Sequence, residues 1–196
     1  IDLGERDAAE QLYARLRDRP IDIVVNNAGF GIYGPFVETD LSRQRAMLDL
    51  DIGALVGITR VFVADMVGRK RGHILQVASI GAFQPSPLYA TYSAAKAFVL
   101  SFGEALAYEV RGTGVTCTVV SPGATRTAFL DVAGQTLTPF QKMTMMESAD
   151  VARIGINATL AGRSSIVTGW MNAFNCWFIS MLPRQWAAAL GDRAMR

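Results

Sequence analysis

Residues 74–96 read ILQVASIGAFQPSPLYATYSAAK, an apolar run that leads through a proline-containing loop into a helical pattern. The run 73–78 predicts a buried strand that ends at Ser79, and residues 88–110 predict a helix. Residues four apart share a helix face, so Tyr92 and Lys96 project to the same side. The stretch therefore predicts a serine, a tyrosine and a lysine at one point of the fold.

Tyr92 beside Lys96 can act as a general acid or base. A free tyrosine titrates near about 10 and gives up its proton poorly at neutral pH. We expect the Lys96 ammonium to lower the pKa of Tyr92 by stabilising the phenolate. For a Tyr-x-x-x-Lys pair alone, an ordinary amphipathic helix with an exposed lysine is the alternative.

Composition predicts one domain over residues 1–196, because 51% of the 196 residues are hydrophobic. A net charge of +2 does not indicate a nucleic-acid partner. One histidine and two cysteines favour neither a metal site nor a Ser-His-Asp triad.

The cysteine usage and the lack of a secretory pattern at the start indicate a cytoplasmic protein. The uncharged segment 164–183 favours burial or surface contact over a membrane span.

Short apolar runs alternate with longer helical patterns along the chain. The predicted strands are 21–25, 73–78, 115–120 and 165–168, and the predicted helices are 8–19, 41–67, 88–110 and 148–160, followed by a final apolar helical region. Strands that are apolar throughout predict a parallel sheet with helices on both faces. The fold class is thus α/β, a doubly wound, three-layer, Rossmann-like domain.

Polar or glycine-rich residues follow three of these strands. They are Asn26 to Gly29, Ser79, and Pro122 with Gly123. In doubly wound sheets ligands bind outside the carboxyl ends of the strands. The three strand ends therefore predict a single cleft.

These residues resemble the short-chain dehydrogenase/reductase family from Asp2 onward. Asn26-Asn27-Ala28-Gly29 matches its Asn-Asn-Ala-Gly strand end, and Ser79 precedes Tyr92 by the thirteen residues that the family requires. Pro122-Gly123 with Thr127 matches its Pro-Gly-x-x-x-Thr pattern. The resemblance implies an NAD(P)-dependent oxidoreductase that interconverts a hydroxyl and a keto group, and a small carbonyl or alcohol as substrate.

The resemblance also assigns roles. Tyr92 would donate or accept the proton, Ser79 would bind the same oxygen, and Lys96 would hold the nicotinamide ribose. The implied cofactor-binding positions are Asp2, Asn26, Ala28, Gly29, Tyr92, Lys96, Pro122, Gly123, Thr125 and Thr127. For Asn26 and Asn27 a structural role between strands stays open. Whether NAD or NADP binds cannot be chosen from these residues.

Two departures from the family pattern qualify this prediction. Asp51 stands where the family has an asparagine that takes part in proton relay, and its charge beside Lys96 can tighten the ammonium and oppose phenolate formation. The glycine-rich turn that holds the pyrophosphate does not occur in these residues, and we expect it in an omitted N-terminal segment. A non-catalytic relative that serves as a binding scaffold is the alternative function.

Residues 124–147 resemble the family's lid over the substrate. The apolar side chains there are Phe129, Leu130, Leu137, Phe140, Met143, Met145 and Met146. They indicate a lipid-like or steroid-like substrate, with plain helix packing as an equal alternative. The resemblance implies a homodimer or homotetramer built on the helices 41–67 and 88–110. The final segment, Trp170 to Trp186, could cover the pocket, join subunits or touch a membrane, and we favour association.

Overall fold

The computed structural model describes residues 1–195, without the side chains of Phe140, Ala194 and Met195. The strands are β1 Ile23–Asn26, β2 Gly72–Val77, β3 Val115–Ser121, β4 Thr125–Arg126, β5 Met146–Glu147 and β6 Ser165–Val167. The helices are α1 Ala8–Leu16, α2 Leu41–Leu48, α3 Leu55–Gly68, α4 Ala90–Glu109, α5 Phe129–Ala133, α6 Pro139–Thr144, α7 Ser148–Leu160, α8 Trp170–Ser180 and α9 Arg184–Met195. In the main sheet the order is β1-β2-β3-β6, with every pair parallel.

Helices cover the sheet from both sides. Neighbouring residues of a strand point to opposite faces, and on β2 Ile74 packs against Met66 of α3, while Leu75 lies beside Gly155 of α7. The α/β class and the parallel sheet predicted from the apolar strands are therefore confirmed. The sheet places the ends of β1, β2 and β3 along one edge.

The predicted helix 41–67 is not continuous. A π-helical stretch, Asp49–Ala54, separates α2 from α3. A π turn widens the helix locally and is frequent at functional sites. Here it contains Asp51, whose side chain is buried and only 1% exposed.

Strand β1 lies on the outside of the sheet, and no further strand pairs with it within the described chain. Ile23 and Val25 of β1 are 41% and 49% exposed, although strands of parallel sheets are usually buried on both faces. Val24, between them, packs beside the buried cluster of Ile58 and Phe62 on α3. One face of β1 is therefore covered and the other is partly bare.

Candidate active site

Ser79, Tyr92 and Lys96 come together where β2 ends and α4 begins. Ser79 follows β2 and accepts a hydrogen bond from the Gly81 amide at 3.1 Å. Its side chain also forms a hydrogen bond with Tyr92. The Lys96 Nζ lies 5.7 Å from the centre of the Tyr92 ring. The geometry thus puts a hydroxyl, a phenol and an ammonium at one place.

Lys96 is held in a buried ion pair. Its Nζ lies 3.0 Å from Asp51 Oδ2, and the Lys96 and Asp51 side chains are 7% and 0% exposed. Nζ also donates a hydrogen bond to the Val77 carbonyl oxygen at 3.2 Å. Asp51 Oδ1 accepts a hydrogen bond from the Phe30 amide at 3.1 Å. The carboxylate therefore ties the loop after β1 to the lysine of α4.

The electrostatics of Tyr92 differ from the expectation. Burial raises the pKa of Tyr92 well above its ordinary value, the hydrogen bond with Ser79 opposes this, and the negative charge of Asp51 adds to it. In this structure the pKa of Tyr92 is therefore raised rather than lowered, chiefly because the phenol is buried, and the charge of Asp51 adds to the effect. Burial also raises the pKa of Asp51, while Lys96 pulls it down.

Gly29 is required by the position of Asp51. A Cβ at Gly29 would lie 2.6 Å from Asp51 Oδ1. Asp51 cannot move aside easily, because Lys96 and the Phe30 amide hold its two oxygens. The glycine of the Asn-Asn-Ala-Gly sequence therefore serves the ion pair as well as the cleft.

We expect Gly29→Ala to lower the free energy of unfolding by about 1–3 kcal/mol, the usual cost of overpacking. Urea denaturation measures it. Gly68→Ala is the matched control, because a Cβ there meets nothing within 4 Å. An equal effect of the two substitutions would contradict this account of Gly29.

The residues after β3 form the other side of the site. Pro122, Gly123, Thr125 and Thr127 line the same cleft as Tyr92. The Thr125 hydroxyl donates to the Gly123 carbonyl oxygen at 3.0 Å. A Cβ at Gly123 would lie 2.4 Å from the amide nitrogen of Asn172, which is buried in α8. Asn172 therefore packs behind this loop. No sequence pattern indicated this contact.

Other predicted cofactor positions lie apart from the cleft. Asn26 is buried and donates to Thr59 Oγ1 at 2.9 Å and to Gln76 Oε1 at 3.0 Å. These bonds tie β1 to α3 and β2. The Asn26 side chain therefore has a structural role between these elements. Asp2 accepts from the Gly4 amide at an exposed position, and Ala28 lines a smaller groove beside β1.

The cleft has a volume of about 910 Å³ and extends along the sheet. Its lining includes Gly29 and Phe30 after β1, the residues after β3, and Tyr92 with Lys96. Leu75, Val120 and Gly155 line the part beside α7. Among the lining residues that the structure describes, Lys96 alone has a charged side chain. The walls are otherwise mostly apolar, so the cleft favours an apolar, neutral ligand next to a proton donor.

The chain is similar to known proteins along most of its length. The model for the short chain dehydrogenase family matches residues 1–162. The chain belongs to this family. It is 32% identical over 164 residues to the very-long-chain 3-oxoacyl-CoA reductase of Pyrenophora tritici-repentis, covering 82% of this chain and 48% of that protein. The chain spans about half the length of the curated relatives it matches.

Solved structures of other family members share the fold. A structure from work on 7beta-hydroxysteroid dehydrogenase stereoselectivity aligns with a TM-score of 0.85 at 20% identity, covering 97% of this chain and 74% of that one. A short-chain dehydrogenase from Sphingobium yanoikuyae in complex with NADPH aligns with a TM-score of 0.79 at 23% identity, covering 94% and 75%. At these identities the likeness shows the fold.

Only part of the predicted lid, residues 124–147, lines the cleft. Phe129 and Leu130 of α5 line it, and the Phe129 ring lies 5.3 Å from the Tyr92 ring. Leu137, Met143, Met145 and Met146 are not part of the lining, and Met143 is 65% exposed. The side chain of Phe140 lies outside the described part of the chain. Of the apolar lid side chains expected to face the substrate, Phe129 and Leu130 alone line the cleft among those that the structure describes.

Several lining residues escaped the sequence prediction. Tyr89 packs between Tyr33 and Tyr92, with tilted rings at centroid distances of 5.3 and 5.4 Å, and its hydroxyl donates to Gln135 Oε1 at 2.8 Å. Phe178 of α8 and Leu190 of α9 close the cleft on another side. These contacts join segments far apart in sequence, so local patterns do not reveal them.

Residues 1–195 contain no group of three or more His, Cys, Asp or Glu side chains able to hold a metal ion. None of the helices found in that range is long and apolar enough to cross a bilayer.

Proposed function

We propose that this protein is an NAD(P)-dependent oxidoreductase that interconverts a keto group and a hydroxyl group by hydride transfer. The observation that carries the proposal is the convergence of Ser79, Tyr92 and Lys96 in the lining of an apolar cleft. Family membership supports the same chemistry. Interconversion of a ketone and an alcohol transfers a hydride, which protein side chains do not supply, so the proposed reaction requires a cofactor that carries it.

The residues present fit the nicotinamide half of such a cofactor. Gly29 and Gly123 line the cleft just after β1 and β3, and Asp51 and Asn172 fix the backbone there from the other side. Lys96 would hold the hydroxyls of a ribose, and Thr125 and Thr127 would offer hydroxyl groups from the loop after β3. When bound, the dinucleotide would supply or accept the hydride. A solved relative that binds NADPH supports the assignment, and titration with each nucleotide distinguishes NAD from NADP.

Each residue then has a distinct task. The Tyr92 phenol donates its proton to the carbonyl oxygen during reduction and takes it back during oxidation. Ser79 holds that oxygen in line through a hydrogen bond, and Lys96 positions the cofactor. Because burial and Asp51 keep the Tyr92 pKa high, Tyr92 rests as a proton donor near neutral pH.

The substrate that fits these walls is apolar. Apart from Lys96, the lining side chains described are uncharged, which disfavours a ligand with an anion inside the cleft. Relatives that act on 3-oxoacyl thioesters or on hydroxysteroids support a lipid-like or steroid-like ketone or alcohol. A cytoplasmic location and a homodimer or homotetramer built on α2, α3 and α4 complete the proposal.

The competing function is a binding scaffold without catalysis. The raised pKa of Tyr92 favours it, because burial, with a further contribution from the charge of Asp51, opposes formation of the phenolate. Titration of the full-length protein with NADH and with NADPH, followed by nucleotide fluorescence, separates the two. Binding of either nucleotide and turnover of apolar ketones would support the enzyme, and binding of neither would leave the scaffold.

We expect Asp51→Asn to shift the pH dependence of activity to lower pH. Removing the negative charge lets the Lys96 ammonium stabilise the phenolate, so the Tyr92 pKa falls. Alcohol oxidation needs the phenolate, and its rise with pH then begins at lower pH. At a fixed pH on the rising limb, oxidation becomes about tenfold faster if the Tyr92 pKa falls by one pH unit.

The measurement is kcat/KM against pH in both directions. Asp18→Asn is the matched control, because the Asp18 side chain is 94% exposed. A hundredfold loss of activity in Asp51→Asn at every pH would show that the carboxylate itself is required.

A further inference from the structure

The C-terminal helices expose an aromatic face. We use this name for seven side chains, each 43–80% exposed: Trp170, Phe174, Trp177, Phe178, Met181, Trp186 and Leu190. The sequence has three tryptophans, and all three belong to this face. Large apolar side chains grouped on a surface mark an interaction site more often than chance exposure.

Internal packing does not explain these side chains. Trp170, Phe174, Trp177 and Met181 follow helical spacing along one side of α8 and its end. The opposite side carries Asn172, Cys176 and Ile179, which are buried. The helix is therefore anchored by one side while a second apolar side faces outward.

The face itself carries one charge, and it is positive. Arg184 is the one charged residue from Trp170 to Leu190, and Asp192 with Arg193 follows the face in sequence. Arg184 is exposed and lies between Met181 and Trp186 in sequence. Two copies meeting by this face around a two-fold axis would bring like charges together. A phosphate-bearing surface would instead pair with the guanidinium.

Tryptophan and arginine side chains around an apolar strip suit the boundary of a lipid bilayer, where ring bodies enter the acyl region and polar edges stay at the headgroups. A helix of 11 residues is about 16 Å long, too short for an apolar core of about 30 Å. We propose that the aromatic face docks on the surface of a bilayer that contains anionic phospholipids, with α8 lying in the plane of the interface.

The aromatic face is continuous with the cleft. Phe178 and Leu190 belong to the face and also line the cleft that contains Tyr92. If the proposed function holds, an apolar substrate can pass between the lipid and the cleft without crossing water. Docking itself does not depend on that function, so the two are tested separately.

Vesicle co-sedimentation of the full-length protein tests the docking. The vesicles are phosphatidylcholine alone or phosphatidylcholine mixed with phosphatidylglycerol. We expect binding to the mixed vesicles, with a blue shift of tryptophan emission as Trp170, Trp177 and Trp186 leave water. The double variant Trp170→Ser with Trp177→Ser should lose at least about tenfold in vesicle partitioning. Arg184→Gln should reduce the preference for phosphatidylglycerol.

Phe36→Ser is the matched control, because Phe36 is 61% exposed and lies outside both the aromatic face and the cleft lining. It should bind vesicles as the unchanged protein does. Absence of binding by the unchanged protein, or equal binding by the double variant, overturns the proposal. Sedimentation velocity without lipid completes the test: conversion of an oligomer to a smaller species by the double variant would assign the face to a second copy instead.

Discussion

Tyr92→Phe should lower kcat/KM for carbonyl reduction by about a thousandfold, because general acid catalysis by one side chain contributes on that order. Phenylalanine keeps the ring contacts with Tyr89 and Phe129, at 5.4 and 5.3 Å, and loses only the hydroxyl that forms the hydrogen bond with Ser79. The cofactor affinity should therefore stay nearly unchanged. Steady-state kinetics and a nucleotide titration on the same sample measure the two effects.

Tyr13→Phe is the matched control for this substitution. Tyr13 packs edge-on against Phe62 at 5.5 Å, on the side of the sheet covered by α1 and α3, and does not line the cleft. Its hydroxyl has no part in the proposed chemistry, so kcat/KM should not change. Retention of more than a tenth of the activity in Tyr92→Phe would remove Tyr92 as the general acid.

The sheet was predictable from sequence because its strands are short apolar runs bounded by loops. The predicted strand 73–78 differs from Gly72–Val77 by one residue at each end, and 115–120 differs from Val115–Ser121 by one residue at its end. The start of α4 near Tyr92 was equally clear from helical spacing. These features rest on local patterns, which the tertiary structure retains.

Other features depend on contacts that local patterns do not contain. The π-helical stretch at Asp49–Ala54 breaks a run that reads as one helix. The resemblance placed Asp51 beside Lys96, but the full burial of the pair and the raised Tyr92 pKa follow from packing across three segments. The packing of Asn172 behind Gly123 also depends on a contact between segments far apart in sequence. The residues of the site were therefore predictable, whereas their electrostatic balance was not.

Lys96→Met should lower the free energy of unfolding by about 3–5 kcal/mol at neutral pH. The substitution leaves Asp51 as a buried carboxylate without its cation, which is the costly way to break a buried ion pair. Urea denaturation measures the loss. Lys142→Met, at an exposed lysine of α6, provides the matched control and should have little effect.

The pH dependence of this loss has a definite sign. Without Lys96, burial raises the pKa of Asp51 in the folded protein further above that of the unfolded chain. The cost is absent below the unfolded pKa, where both states are protonated, grows as the pH rises from the unfolded pKa to the folded pKa, and stays constant above it. Lowering the pH from neutral should therefore recover part of the lost stability.

A second substitution tests whether the buried charge causes the loss. In Lys96→Met with Asp51→Asn no charge remains at the site, and the amide oxygen of the introduced asparagine can still accept from the Phe30 amide. The double variant should be more stable than Lys96→Met alone, although it lacks one more native group. If it is no more stable, the lysine acts through packing of its alkyl chain, and the ion pair with Asp51 does not hold this part of the fold together.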